Sequence, residues 1–261
     1  MVKIFSGWTN KGGSTVALIN LTNALNGRGV DTTFYGRQDW HLDKCKSSLL
    51  EGDYPINPDD SVIFHFLQLP QRPNAKKVLL TCHEKWWFMV GNIQQYWDEL
   101  IFLHEEHRKY HNTYRGEYDI IPNIKESFEK KDKSDLNEVA GIVGAIEDRK
   151  QTHLSIQRAL RDGCKKIYLF GHINDERYYN GLIKPLLGER IEHYGFTEDK
   201  QSMYDMVGRV YHSSKGEVAC LVKDECHLTG TQFYGNEETL HEVSDLTNDE
   251  IVDKWIKVLD I

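Results

Sequence analysis

The feature that most constrains the fold is the pattern that opens the chain: an apolar strand, a glycine-rich turn, a helix and a second strand. Val2 to Ser6 has the apolar character of a buried strand and is followed by a turn that contains Gly12 and Gly13. A helical pattern of apolar residues runs from Val16 to Leu25, and Val30 to Tyr35 begins the second strand. This order is typical of a Rossmann-like unit, in which glycines let the backbone approach a ligand closely at the N-terminus of the helix.

The same alternation of strands and helices continues to the end of the chain. Further strands are predicted at 61–66, 77–81, 118–121, 138–143, 166–170, 191–194 and 210–212, and helices at 94–111, 151–161, 176–187 and 200–207. Such alternation favours parallel sheets with helices on both faces. Segment 125–137 is charged and poor in apolar residues, as interdomain linkers are. We therefore predict an α/β protein of two Rossmann-like domains, 1–133 and 134–261, with a last helix at about 246–261 that packs back on the first domain.

Composition restricts the class of protein. The longest apolar runs are too short to span a bilayer, and the N-terminus is predicted to be a first strand and not a signal peptide. The five cysteines form no Cys-x-x-Cys pair, which is typical of reduced thiols in a cytoplasmic protein. Residues 1–133 carry no net charge, so the net charge of −8 lies entirely in 134–261. This distribution argues against a general polyanion-binding protein, although it allows a local basic face on the first half.

The glycine-rich turn admits a second interpretation. Lys11-Gly12-Gly13 before a helix is similar to the deviant phosphate loop of partitioning ATPases. Such a loop needs Gly-Lys-Thr next, whereas this chain has Ser14-Thr15-Val16 and so lacks the lysine that contacts the β- and γ-phosphates. A nucleotide-binding ATPase module is therefore kept as an alternative of another class.

Two carboxylates mark the second half of the chain. Glu217 and Glu225 stand eight positions apart around a short apolar run, and Gly230 closes the motif. A helix that starts near Val218 would place Glu217 at its N-terminus, where backbone N–H groups can hold a phosphate, and Glu225 two turns further on. A carboxylate beside an anion site suits a ligand with both phosphate and hydroxyl groups, such as a nucleotide sugar. The alternative is an N-cap followed by an ordinary amphipathic helix.

Three histidines share a face of the helix predicted at 94–111. His104, His107 and His111 fall at positions i, i+3 and i+7, which is a spacing that a metal site can use. Because the sequence between them is not the zincin His-Glu-x-x-His, a polar stripe on the protein surface is the preferred interpretation.

Taken in order, these motifs resemble the GT-B glycosyltransferases, and among them the large retaining family 4. The matching motifs are a glycine-rich turn, a histidine after a mid-domain strand, a Pro-Asn near the domain junction, a Gly-x5-Lys loop and a Glu-x7-Glu closed by Gly-Thr. In this chain they are Gly12-Gly13, His83, Pro122-Asn123, Gly144 with Lys150, and Glu217 with Glu225 and Gly230-Thr231, and Gly195-Phe196 also looks like part of the family's C-terminal domain. The chain departs from the family at Ala145, where an arginine is usual, and at Gln232, where a proline is usual.

The resemblance implies two domains that face each other across a cleft, with a reduced N-terminal acceptor-side domain and a C-terminal nucleotide-sugar-binding domain. It implies transfer of a sugar from a nucleotide sugar, with UDP-sugars favoured, to a hydroxyl acceptor with retention at the anomeric carbon. The implied catalytic residues are Glu217, His83 and Lys150. The implied donor-binding residues are Glu225, Arg149, Gly12, Gly13, Val218, Ala219, Cys220, Gly195 and Phe196. Arg149 would replace the charge of the arginine absent at position 145.

No cofactor or metal ion is expected beside the donor. The developing charge of a nucleotide diphosphate must then be met by cations and backbone donors, and Lys150 with Arg149 are the available cations. Neither half has an Asp-x-Asp at a convincing strand end, which also favours metal-independent transfer.

The acceptor is predicted from weaker features. Residues 86–89 (Trp-Trp-Phe-Met) follow His83 and would form either core packing or an exposed stacking lip. A compact chain of this kind is the style of viral and phage enzymes, some of which glycosylate hydroxymethylated bases in double-stranded DNA, and that reaction requires base flipping. Basic residues of the first half would contact phosphates: Lys76, Lys77, Lys85, Arg108, Lys109, Lys130 and Lys131. The alternatives are a cell-surface polysaccharide or lipid acceptor and, from another class, a non-catalytic binding protein. For a viral chain, the compartment would be the host cytoplasm.

Overall fold

The chain forms two compact units. The computed structural model describes residues 1–9, 12–67, 69–83, 85, 96–112, 114–239 and 241–261. The first unit consists of Met1–Lys125 together with Ser244–Ile261, and the second consists of Glu126–Val243. The C-terminal segment therefore belongs to the first unit, although it follows the second in sequence.

A seven-stranded sheet forms the centre of the first unit, and all of its neighbouring strands run parallel. Its strands are β1 Val2–Ser6, β2 Thr32–Gly36, β3 Ser47–Leu49, β4 Ser61–His65, β5 Lys77–Thr81, β6 Glu99–Phe102 and β7 Tyr118–Ile120. They lie in the order β3-β2-β1-β4-β5-β6-β7. The order reverses between β1 and β4, which in open parallel sheets is where ligands bind, beyond the carboxyl ends of the strands.

Two helices, α1 (Gly13–Gly27) and the C-terminal α7 (Asn248–Leu259), cover one face of this sheet. A third, short helix, α2 (Glu105–Tyr110), follows β6. Gly12, in extended conformation, precedes α1. The chain leaves α1 through Gly29, whose φ of 79° a side chain would strain. A capping box starts α7, because the Thr247 hydroxyl accepts from Glu250 N–H while the Glu250 carboxylate accepts from Thr247 N–H. The shared core includes Val2, Ile4, Leu18, Leu21, Leu25, Ile63, Ile251, Val252, Trp255, Val258 and Leu259.

The helix predicted at 94–111 is wrong over its central part. Glu99–Phe102 is β6, which pairs with β5 and β7, and of the described residues in this range only Glu105–Tyr110 is helical. Because β6 is an inner strand of a parallel sheet, both of its faces are buried, and a continuous apolar run results. A run of that kind satisfies a helical pattern equally well.

A second parallel sheet, of five strands, forms the centre of the second unit. Its strands are β8 Val139–Val143, β9 Lys166–Phe170, β10 Ile191–Gly195, β11 Arg209–Tyr211 and β12 Gln232–Tyr234, in the order β10-β9-β8-β11-β12. Its helices are α3 Thr152–Arg161, α4 Glu176–Tyr178 with helical turns that continue to Leu186, α5 Lys200–Asp205 and α6 Leu221–Thr229. The order of this sheet reverses between β8 and β11, which again predicts a ligand site there. None of the described helices is long and apolar enough to cross a membrane.

Candidate active site

Two loops of the second unit meet at the point where its strand order reverses. One follows β8 and runs from Gly144 to a 3₁₀ turn at Asp148–Lys150, and the other follows β11 and leads from His212 to α6. Gly144 and Gly171 permit a close approach of the loops after β8 and β9, because a Cβ on Gly171 would lie 2.0 Å from the Gly144 carbonyl oxygen. The loop after β11 is bonded to the loop after β8 through Lys215. The Lys215 N–H donates to the Arg149 carbonyl, and its ammonium pairs with Asp148.

The Glu217 carboxylate is the centre of this site. Its Oε1 accepts a hydrogen bond from the Lys150 ammonium and lies 3.0 Å from His212 Nε2. The Arg149 guanidinium lies 3.9 Å from the same oxygen. The Glu217 side chain is 10 % exposed, and within the described part of the chain no group hydrogen-bonds to Oε2. One oxygen is therefore fixed by the protein, and the other is available to a ligand.

The charges around Glu217 keep it ionised. Burial alone would favour the neutral acid, but the hydrogen bond to His212 and the positive charge of Lys150 outweigh it and hold the pKa of Glu217 well below its usual 4.5. A buried carboxylate paired in this way is an anion at any pH near neutrality.

Lys150 and Arg149 differ in how they are held. Lys150 is mostly buried and directs its ammonium at Glu217. Arg149 is more exposed, and its guanidinium is bound by the Glu147 carboxylate at 2.9 Å and the Gly216 carbonyl at 3.1 Å. Lys150 is therefore the principal cation beside Glu217, and Arg149 contributes charge from a greater distance.

The helix expected to start near Val218 begins at Leu221 instead, so Glu217 lies four residues before it and not at its first turn. Val218 and Ala219 belong to the loop, and Cys220 is the N-cap. The Cys220 N–H, expected to be a donor to phosphate, donates to His241 Nε2 at 3.2 Å. The Cys220 thiol is buried, and this burial raises its pKa, so it is a neutral packing group.

Glu225 lies in the second turn of α6 and is 7 % exposed. Tyr204 on α5 donates its hydroxyl to Glu225 Oε2 at 2.6 Å, and Lys200 donates its ammonium to Oε1 at 2.7 Å. Burial raises the pKa of Glu225 above 4.5, although the charge of Lys200 and its hydrogen bond oppose the rise. The two carboxylates of the Glu-x7-Glu motif are therefore perturbed in opposite directions.

An aromatic surface follows the end of β10. Gly195 ends the strand with a φ of 92°, and Phe196 is 42 % exposed. The Phe196 ring stacks on His172, with 4.2 Å between ring centres and 17° between planes. A flat exposed ring of this kind can stack on the base or sugar of a ligand.

The predicted residues of the first unit lie along the carboxyl edge of its sheet. Gly12 and Gly13 form the start of α1, directly after the loop that follows β1. His83 follows β5, and its ring centre lies 5.1 Å from that of His65. His65 ends β4, is fully buried, and has its Nδ1 3.0 Å from the Ser6 hydroxyl at the end of β1. Ser6 and His65 were not among the predicted site residues, and their only signal in the sequence is a polar residue at the end of each of two buried strands.

The prediction that the three histidines form a polar stripe on the surface is wrong, because His107 and His111 are buried and pack against Phe102. His104 caps α2 by accepting from His107 N–H. The aromatic segment at 86–89 and Lys11 lie outside the described residues.

A metal ion has one candidate set of ligands in the described residues: His212, Glu217 and Cys220, whose ligand atoms lie within 4.8 Å of one another. The Glu217 oxygen of this set already accepts from Lys150, and the thiol is protonated. The arrangement therefore fits a charge-paired carboxylate better than a metal centre.

Comparison with known proteins identifies the fold. No family model and no curated protein matches the sequence. Among solved structures, the chain is similar to Anabaena HepE in complex with UDP and glucose, with a TM-score of 0.68 and 12 % identity over 98 % of this chain and 89 % of that one. It is also similar to WaaG, a glycosyltransferase involved in lipopolysaccharide biosynthesis, with a TM-score of 0.66 and 11 % identity over 100 % and 91 % of the two chains.

A third similar structure is AviGT4, a glycosyltransferase involved in avilamycin A biosynthesis, with a TM-score of 0.61 and 13 % identity over 99 % of this chain and 88 % of that one. The two Rossmann-like units thus form the GT-B glycosyltransferase fold, which confirms the predicted fold class. At these identities the similarity establishes the fold, and the chemistry has to be argued from the side chains.

Proposed function

We propose that this protein is a glycosyltransferase that moves a sugar from a UDP-sugar to a hydroxyl acceptor. The observation that carries the proposal is the Lys150–Glu217 pair, in which a fixed cation and a carboxylate with one open oxygen lie together at the strand-order reversal of the second unit. The HepE structures, which contain UDP, glucose or UDP-glucose, support this choice of donor.

In this proposal, different residues of the second unit bind different parts of the donor. Lys150, assisted by Arg149, stabilises the negative charge that develops on the diphosphate as the glycosidic C–O bond breaks. Glu217 directs its open Oε2 at the donor sugar, and Glu225 accepts hydrogen bonds from the ribose hydroxyls. Phe196 stacks on the nucleotide, with Gly195 giving the backbone the turn that presents the ring.

The first unit supplies the acceptor side in this proposal. His83 lies near the transferred sugar and the acceptor, and Gly12 and Gly13 lie near the diphosphate or acceptor. Because Ser6 bonds to His65 and His65 contacts the ring of His83, these two residues hold His83 in place.

A donor panel tests the proposal. We expect UDP or a UDP-sugar to raise the melting temperature, whereas ATP with Mg²⁺ should not, because the first turn of α1 has Ser14-Thr15-Val16 in place of the Gly-Lys-Thr of an ATPase loop. Glu217→Ala should still bind UDP, since Glu225 and Phe196 remain, but should transfer no sugar. Stabilisation by ATP alone would favour the ATPase alternative, and donor binding without turnover by the unaltered protein would indicate a non-catalytic binder.

Transfer should be independent of metal ions and should retain the anomeric configuration. In this proposal Lys150 and Arg149, which lie beside Glu217, neutralise the leaving group in place of a metal ion, so EDTA should leave the rate unchanged. Loss of activity in EDTA and its return with Mn²⁺ would contradict this expectation. Assignment of the product anomer by NMR tests retention, and inversion would remove the family 4 assignment.

For the acceptor we propose a bacterial cell-surface polysaccharide or lipid, which the names of two similar structures support. WaaG acts in lipopolysaccharide biosynthesis, and WaaB is a lipopolysaccharide outer core galactosyltransferase. Several lysines that were expected to contact DNA phosphates are paired with acids instead: Lys76 with Asp260, Lys77 with Glu99, Lys109 with Glu106 and Lys131 with Asp205. Hydroxymethylated phage DNA stays a prediction, and parallel assays with both acceptors would separate the two.

A further inference from the structure

The ammonium of Lys200 is shared by two carboxylates. It lies 2.7 Å from Glu225 Oε1 and 2.5 Å from Glu126 Oε1, and all three residues belong to the second unit. Lys200 is the first residue of α5, whereas Glu126 is the first residue of the second unit and Glu225 lies on α6. Three separate segments therefore meet at one cation.

Among the described residues, Lys200 is the one cation that faces Glu225. The titratable groups that face it are Lys200 and Tyr204 from α5, Glu126 beyond Lys200, and its neighbour Cys226 on α6. Tyr204 and Cys226 are fully buried, and burial raises the pKa of both well above the usual range, so both are neutral. Within the described residues, burial raises the pKa of Glu225 most, the charge of Lys200 opposes this rise, and the charge of Glu126 adds to it.

We propose that Lys200 is a positioning residue for the donor ribose, which holds the Glu225 carboxylate ionised and oriented, and that Glu126 weakens this hold by competing for the same ammonium. The proposal rests on the proposed function, in which Glu225 accepts hydrogen bonds from the ribose. It adds two residues, Lys200 and Glu126, neither of which belongs to the Glu-x7-Glu motif.

The direction of each effect follows from charge. Ionised Glu225 accepts from Lys200 at Oε1 and from Tyr204 at Oε2 and keeps the remaining lone pair of each oxygen for ribose hydroxyls, whereas a protonated carboxyl turns one oxygen into a donor. A cation nearby lowers the pKa of a carboxyl group, and a second carboxylate raises it. Removing Lys200 should therefore raise the pKa of Glu225, and removing the charge of Glu126 should lower it.

The test compares two nearly isosteric variants, Lys200→Met and Glu126→Gln, by two measurements. The first follows the side-chain carboxyl of Glu225 by ¹³C NMR against pH, with the signal assigned through Glu225→Gln. The second measures the Kd of UDP against pH by calorimetry. Because every variant binds the same ligand at each pH, differences between variants report on the protein and not on the titration of the phosphates.

We expect the pH midpoint of the Glu225 titration, and with it the midpoint of the loss of UDP affinity, to move in opposite directions in Lys200→Met and Glu126→Gln. In the unaltered protein, UDP affinity should fall as pH drops through the pKa of Glu225, which lies above 4.5. Glu126→Gln should retain affinity to lower pH, whereas Lys200→Met should lose it at higher pH. One pH unit below the midpoint only about a tenth of the carboxylate is ionised, so affinity there should be about tenfold weaker. Lys200→Arg, which keeps the charge, should restore most of the affinity that methionine removes.

Midpoints that stay in place in both variants, or that move in the same direction, would overturn the proposal and leave Lys200 as a structural ion pair. Circular dichroism checks that each variant is folded, and Lys200→Arg provides the second measurement if Lys200→Met is not. The NMR titration needs no ligand. Opposite shifts of the Glu225 signal without any UDP binding would therefore overturn the donor role of this site, whereas UDP binding with unmoved midpoints would overturn only the role of Lys200.

Discussion

Lys150→Met is expected to lower kcat about 10²–10³-fold, the usual effect of removing one electrostatic donor from an active site. The ammonium is the principal cation beside Glu217, and no other described group offers a charge as close to that carboxylate. Because the methionine keeps the length and apolar stem of the lysine, the KM for the donor should change less than kcat. Steady-state kinetics with a UDP-sugar would measure both parameters.

The same substitution should also reduce stability. Breaking a buried ion pair by removing one partner costs about 3–5 kcal/mol, and we expect the lower end here because His212 still bonds to Glu217. The double variant Lys150→Met/Glu217→Gln should regain part of this loss, since it leaves no unpaired carboxylate.

Arg149→Gln provides the matched control for Lys150→Met. Its guanidinium lies 3.9 Å from Glu217 and is bound mainly by Glu147, so the loss in kcat should be smaller. A larger loss for Arg149→Gln than for Lys150→Met would contradict the assignment of Lys150 as the principal cation.

Trp255→Ala should destabilise the first unit by about 3–5 kcal/mol, the cost typical of removing a large aromatic side chain from a core. Trp255 is 4 % exposed and lies on the buried face of α7, which packs into the core of the first unit together with α1 and the sheet. Urea unfolding followed by tryptophan fluorescence would measure the change in the first unit alone, because all six tryptophans of the chain lie in its two segments.

Lys257→Ala is the control for Trp255→Ala, since Lys257 is exposed on the same helix. It should change the urea midpoint only slightly. An equally small effect of Trp255→Ala would show that α7 contributes little to the core of the first unit.

Much of the fold could be predicted from local patterns. Buried parallel strands give short apolar runs, and the helices between them give periodic ones, so most elements of both sheets were placed correctly. Leu100, Ile101 and Phe102 were misplaced because a short apolar run satisfies both periods and only the pairing with β5 and β7 decides between them. The start of α6 was misplaced because Cys220, unlike serine or aspartate, gives no N-cap signal.

The candidate site was predictable only in part, for a different reason. Glu217 and Glu225 are eight positions apart, so their spacing is visible in the sequence. Lys150 bonds to Glu217 across 67 positions, and Ser6 bonds to His65 across 59. Such pairs depend on which strands are neighbours in the sheet, and β1 pairs with β4 in a register that sets Ser6 opposite His65. These two side-chain pairs could therefore be predicted only once the strand order was known.

The placement of α7 in the first unit has a consequence for how the chain matures during translation. Five side chains of the first unit's core come from α7, the last helix in the sequence: Ile251, Val252, Trp255, Val258 and Leu259. The ribosome releases residues 126–243 before it releases these, and domains generally fold as units once their residues have emerged. The second unit is therefore complete first, and part of the apolar surface of the nascent first unit stays uncovered until α7 has emerged.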